Sequence, residues 1–213
     1  VYNDSEQYLQ MHIHREPLYP LFLWVFRLCT PEHYLVLMGI LQNLLMAVSI
    51  WLLTGSIARK FSLSVGWQLL LVLLQVFPHL MTKYFSVMSV FITNSVMSEA
   101  LTFPLFTLWV MNALELLWEG KRKNAVGMLL LSILLSLTRS QMMVTVLIFF
   151  LVELYRIIFV CHKKRILVSV VGLVILLAAA FGIRTLTVRC YNLAVHGRFI
   201  NNTYGNVNLV TDM

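Results

Sequence analysis

Long apolar runs broken by short polar interruptions dominate this chain, and their lengths set the elements they predict. A helix rises about 1.5 Å per residue, so about 20 apolar residues cross the roughly 30 Å hydrocarbon layer of a bilayer. Full spans are predicted over residues 34–58, 65–81 and 99–118. The apolar stretch 124–160 is too long for one helix. Its polar cluster Thr138-Arg139-Ser140-Gln141 divides it into two spans joined by a tight hairpin, and a sixth span runs from Ile166 to about Ile183. Two shorter elements precede these. Residues 2–16 are polar, with Tyr8, Leu9, Met11 and Ile13 giving one apolar side, as in a short interfacial helix. The run Leu18 to Cys29, punctuated by Pro17, Pro20 and Pro31 and interrupted by Arg27, is too short to span. It is predicted to lie in the interface, with Tyr19, Trp24 and Tyr34 as belt residues. Residues 85–98, rich in Ser, Thr and Asn, form a connection. Ser98 is placed to cap the span opening at Glu99, whose charge suits a helix N-terminus. The expected fold is an all-α polytopic transmembrane bundle of about six spans with short interfacial helices. Its parts are an outer loop over 1–33, a transmembrane core over 34–183 and the start of another outer loop over 184–213. The polar sequence at Val1 and at Met213 suggests a piece of a longer protein, lacking a first membrane helix and the region beyond the last one.

Composition agrees with this reading. The chain is 60% hydrophobic and 12% charged, where soluble domains carry about a quarter charged residues. Its mean hydropathy is +0.82. A formal charge of +7 would suggest nucleic acid in a soluble domain, but half of the sixteen Lys and Arg residues fall in three clusters. These are Arg59-Lys60, Lys121-Arg122-Lys123 and Lys163-Lys164-Arg165. Basic loops beside spans stay in the cytoplasm, and the six-span threading puts all three there. Asp4, Glu99 and Arg139 then share the opposite, outer face of a plasma membrane, with no nucleic-acid partner implied. Cys29, Cys161 and Cys190 have no metal-ligand spacing; Cys29 and Cys190 both fall outside, though nothing supports a disulfide.

The candidate chemistry gathers on that outer face. Asp4 could serve as a general base for an acceptor hydroxyl or simply as a solvated helix cap. Glu6 could substitute, but would face differently on a helix. Glu99 sits at the membrane boundary, where ionisable groups are costly unless paired or facing a wet cavity. Arg139 interrupts an apolar stretch at a hairpin apex; it either marks the interface or holds an anion, because guanidinium grips phosphate bidentately. Arg15 is a second residue of that kind. His12 and His14 lack further zinc ligands at suitable spacing. No glycine-rich phosphate loop, nucleophile elbow or CxxC is present.

The segment Asp4-Ser5-x-x-Tyr8, continued by Arg15-Glu16-Pro17-Leu18-Tyr19-Pro20, resembles the first outer loop of the GT-C superfamily of lipid-linked-sugar glycosyltransferases. That superfamily includes the protein O-mannosyltransferases and the lipid A aminoarabinose transferases. Ser98-Glu99-Ala100-Leu101 resembles its second acidic position, and the Lys121-Arg122-Lys123 loop with Thr138-Arg139 resembles its next hairpin. Asp4-Ser5 stands where the family has an Asp-Glu pair, and Leu18 where Gly is frequent. The resemblance covers nearly the whole chain and implies the N-terminal part of a transmembrane core. It implies Asp4 as catalytic base, Glu99 as acidic partner, and Arg15 and Arg139 as donor-phosphate ligands, with Tyr8 and Glu6 in the substrate site.

The reaction implied is sugar transfer from a polyprenyl-phosphate donor to a lipid, glycan or protein acceptor at the outer face. No cofactor is required, and a divalent cation stays open. A transporter or lipid-linked-sugar flippase is the rival reading and would place strong polar groups near mid-span. A non-catalytic scaffold would leave the outer charges apart.

Overall fold

A computed structural model describes residues 3–85, 89–160 and 166–201, apart from the side chains of Asn3, Asp4 and Val160. The Lys163-Lys164-Arg165 cluster, Cys161 and the tail beyond Asn201 lie outside the described residues. The described chain is all-helical, with no strand. It runs α1 (Asn3–Leu9), α2 (Leu18–Cys29), α3 (Tyr34–Phe61), α4 (Val65–Phe85), α5 (Glu99–Glu119), α6 (Arg122–Thr138), α7 (Val144–Tyr155) and α8 (Ile166–His196). Short 3₁₀ turns at Ile92–Asn94 and Ser140–Met143 precede α5 and α7, and a π turn at Arg156–Val160 continues α7.

Five helical segments are long and apolar enough to cross a membrane: α3, α4, α5, Ser140–Phe159 and α8. The remaining predicted span, α6, has 17 residues. That makes it about 25 Å long, short of the hydrocarbon thickness. Element ends obey local chemistry. Arg59 and Lys60 occupy the last turn of α3, where cations suit the helix dipole, and Ser62 adopts the left-handed conformation beyond it. Gly120, at φ 68°, ends α5, and a glycine tolerates that backbone without strain.

Two clusters organise the packing. The first holds Trp109, Leu116, Met128, Leu135, Phe149, Ile157 and Leu173, drawn from α5 through α8. The second holds Tyr8, Tyr19, Leu23, Met38 and Leu101, and pins α1 and α2 against α3 and the start of α5. Lipid is as apolar as leucine, so helix pairing in a membrane rests on close approach and hydrogen bonds. Both operate between α5 and α6. Trp109 Nε1 donates to Ser132 Oγ at 2.8 Å. Gly127 lies so close to α5 that a Cβ there would stand 2.5 Å from Asn112 Oδ1.

Two expectations need correction. The last helix does not end near Ile183 but runs to His196, where Gly197 turns the chain. Arg184 therefore begins no loop: it meets Glu16 at 2.5 Å, and Val188, Tyr191 and Asn192 continue the helix as buried residues. Ser98 precedes α5 but makes no side-chain cap. Cys29 and Cys190 are both free and exposed.

Candidate functional site

Glu99 opens α5, and Arg139 is the extended residue between α6 and the Ser140–Met143 turn. The α5–α6 hairpin thus returns the chain to its starting level and sets the two side chains face to face. Their Oε1 and Nη1 atoms form an ion pair, with side chains about a third exposed. Arg139 Nε also donates to Gln141 Oε1 at 3.3 Å. One turn below, Thr102 Oγ1 lies 3.0 Å from Thr138 Oγ1, joining the helices in a buried hydroxyl pair.

The other side of Glu99 leads to α1. Ser98 Oγ donates to Glu99 Oε2 at 3.3 Å and accepts from the Tyr8 hydroxyl at 3.0 Å. Tyr8 in turn accepts from Arg15 Nη1 at 3.3 Å, while the Arg15 guanidinium sits 4.7 Å from the Tyr8 ring centroid. Arg15 Nε donates to Gln7 Oε1 at 2.9 Å. A hydrogen-bonded chain therefore runs from Arg15 through Tyr8, Ser98, Glu99 and Arg139 to Gln141.

Tyr19 supports this chain from beneath. Its ring meets Tyr8 edge-on at 5.1 Å, and its hydroxyl accepts from Gln42 Nε2 at 3.2 Å. Complete burial pushes the Tyr19 hydroxyl well above the ordinary tyrosine range, the Gln42 bond opposing only in part. It stays protonated and acts as a post.

Among the residues singled out from sequence, Glu99, Arg139, Arg15 and Tyr8 are brought together. Glu6 is not: it is exposed, and its carboxylate accepts from Gln10 Nε2 at 2.9 Å within the same short segment. Asp4 lies one turn before Tyr8 on α1, and its side chain is outside the described residues. Ser98 carries no local signal for its bridging position, since Ser before Glu suggests only a cap. Thr102 is equally hidden; Thr138 and Gln141 belong to the polar cluster that marks the hairpin, but that cluster does not show that Thr138 meets Thr102. Among the described residues, no group of three or more His, Cys, Asp or Glu is arranged to hold a metal ion.

Comparison with known proteins gives no match: no family model, no curated protein and no solved structure aligns with the chain. Two arginines at one end of a helical bundle offer anion binding, and the hydroxyls and carboxylate between them offer a route for protons.

Proposed function

We propose that this chain is the membrane core of a GT-C-like glycosyltransferase, with a sixth span at α6 and its site at the outer face of the plasma membrane. It moves a sugar from a polyprenyl-phosphate donor to an acceptor hydroxyl. The observation that carries this reading is the chain of side chains from Arg15 to Gln141 at one end of α5. Arg139 and Arg15 bind the donor phosphate and stabilise the charge that grows on it as the glycosidic bond breaks. Glu99 positions Arg139, and the Tyr8–Ser98 pair positions Arg15. Asp4, one turn from Tyr8, takes the acceptor proton as the new bond forms. The donor's apolar tail accounts for an enzyme embedded in the bilayer.

Transfer of radiolabelled sugar from synthetic polyprenyl-phosphate donors by the reconstituted full-length protein tests this reading. Transfer that Asp4→Asn abolishes is expected; full activity in Asp4→Asn defeats the assignment of the base. A transporter or lipid-linked-sugar flippase is the second reading, favoured by the buried, unpartnered His79 inside α4. Movement of the donor across vesicles without transfer would select it.

A further inference from the structure

Away from the Glu99 site, a groove of about 630 Å³ lies between α3 and α4, its walls including Ile50, Trp51, Thr54, Val72 and Val76. That volume is in the range of small-molecule sites. His79 also lines it, is 5% exposed, and has no hydrogen-bond partner at either ring nitrogen. Its ring rests edge-on against Phe103 at 5.3 Å. One turn earlier, Gln75 Nε2 donates to Thr54 Oγ1 at 2.9 Å while Gln75 Oε1 has no partner. An unpaired polar group in hydrocarbon is costly, so the His79 ring, which lines the groove, calls for a ligand that supplies a hydrogen bond.

Two observations define that ligand. Only 6% of the apolar window of α4 is buried, so this wall of the groove faces the bilayer and an occupant arrives through the lipid. No Lys, Arg, Asp or Glu is among the described residues lining the groove, and the nearby Lys83, over the Phe91 ring, donates to the Ser89 carbonyl, so the lining itself favours an uncharged headgroup. We propose that the α3–α4 groove is a binding site for an uncharged, hydroxyl-bearing lipid, its hydrocarbon along Val72 and Val76 and its hydroxyl bonded to His79. Its lining shares no residue with the arginine-bearing site and is opposite to it in chemistry.

Photolabelling of the purified full-length protein in nanodiscs tests the proposal, using a diazirine-bearing long-chain alcohol and its phosphate monoester. The alcohol labels peptides of α3 and α4 around the groove. His79→Leu lowers that labelling about fivefold, the worth of one neutral hydrogen bond. Val72→Trp, which fills the groove and leaves His79 in place, reduces it to background and keeps the test readable when His79→Leu disturbs α4. Undiminished labelling of both variants overturns the proposal. So does equal labelling by the phosphate ester, or protection of the groove by α4 of a second copy.

Discussion

The two ends of α5 each carry an arginine–carboxylate pair, and the two pairs are built differently. At the Gly120 end, Arg156 and Glu153 are three residues apart, 2.5 Å from each other, with side chains 11% and 16% exposed. Arg156 Nη2 also donates to the Gly120 carbonyl at 2.7 Å. That arginine closes the negative end of α5 and neutralises its neighbour, so its hydrogen-bonding capacity serves the fold. At the Glu99 end the partners come from separate helix boundaries, 32% and 30% exposed, and the pair continues through Ser98 and Tyr8 to a second arginine. A closed local pair stabilises. A half-open pair joined to further polar groups can exchange partners with a ligand.

The largest effect separating the two belongs to the closed end. Arg156→Met leaves Glu153 and the Gly120 carbonyl without their partner in a nearly buried setting. It should lower stability by about 3–5 kcal/mol, measured by unfolding in mixed micelles. The sugar transfer proposed above, measured per folded molecule, should hardly change. Arg139→Gln should reverse this pattern. An ion pair as exposed as Glu99–Arg139 contributes at most about 1 kcal/mol to stability. If Arg139 stabilises the donor phosphate as proposed, its loss should instead cut turnover about 10²–10³-fold. Arg139→Lys should restore only part of it, because a point charge lacks the bidentate fork. If Arg139→Gln unfolds the protein and Arg156→Met silences it, the division between the ends is wrong.

How far these ends are legible in the sequence depends on the kind of signal each carries. Glu99 and Arg139 stand out because a charge inside an apolar run is conspicuous wherever it falls. The boundaries of α2 and the hairpin at Arg139 are legible for the same reason: proline and polar clusters interrupt hydrophobicity locally. The reach of α8 is not, since Arg184 resembles an exit from the membrane until Glu16, far away in the chain, is seen to meet it. Ser98 looks like a helix cap because Ser before Glu ordinarily is one, and only Tyr8 redirects its hydroxyl. His79 gives no signal either; its burial depends on how α4 leans on Phe103. Hydropathy finds helices, while side-chain pairing across distant positions is decided by the fold.

Thr138→Val sharpens the comparison at smaller scale. It removes the hydroxyl that meets Thr102 beneath the ion pair while keeping the side chain's shape. Loss of that contact and of the Thr138 hydroxyl's bond to the Leu135 carbonyl predicts about 1–2 kcal/mol of destabilisation. Turnover should fall less than in Arg139→Gln, since Arg139 is misplaced and not removed. A stability loss with unchanged turnover would show that the threonine pair holds α5 to α6 without positioning the arginine.

The smallest effect is a pH dependence confined to the Glu99 end. Burial first, then the positive charges of His12 and Arg15, hold the His14 imidazole below its ordinary value near 6.5. The folded state therefore binds this proton less readily than the unfolded state. The stability it contributes is complete above about pH 6.5 and is lost as the pH falls through the lowered folded value. His14 is next to Arg15, so the opening should appear first in the segment that carries Arg15 to Tyr8. Hydrogen exchange at the Arg15 amide, corrected for the intrinsic rate, should speed up as the pH is lowered from about 7.5 to about 5.5. His14→Gln should flatten that change, while exchange at the Arg156 amide stays constant in both proteins. An equal response at Arg156 would mean that acid loosens the whole bundle, and the two ends of α5 would lose their distinction.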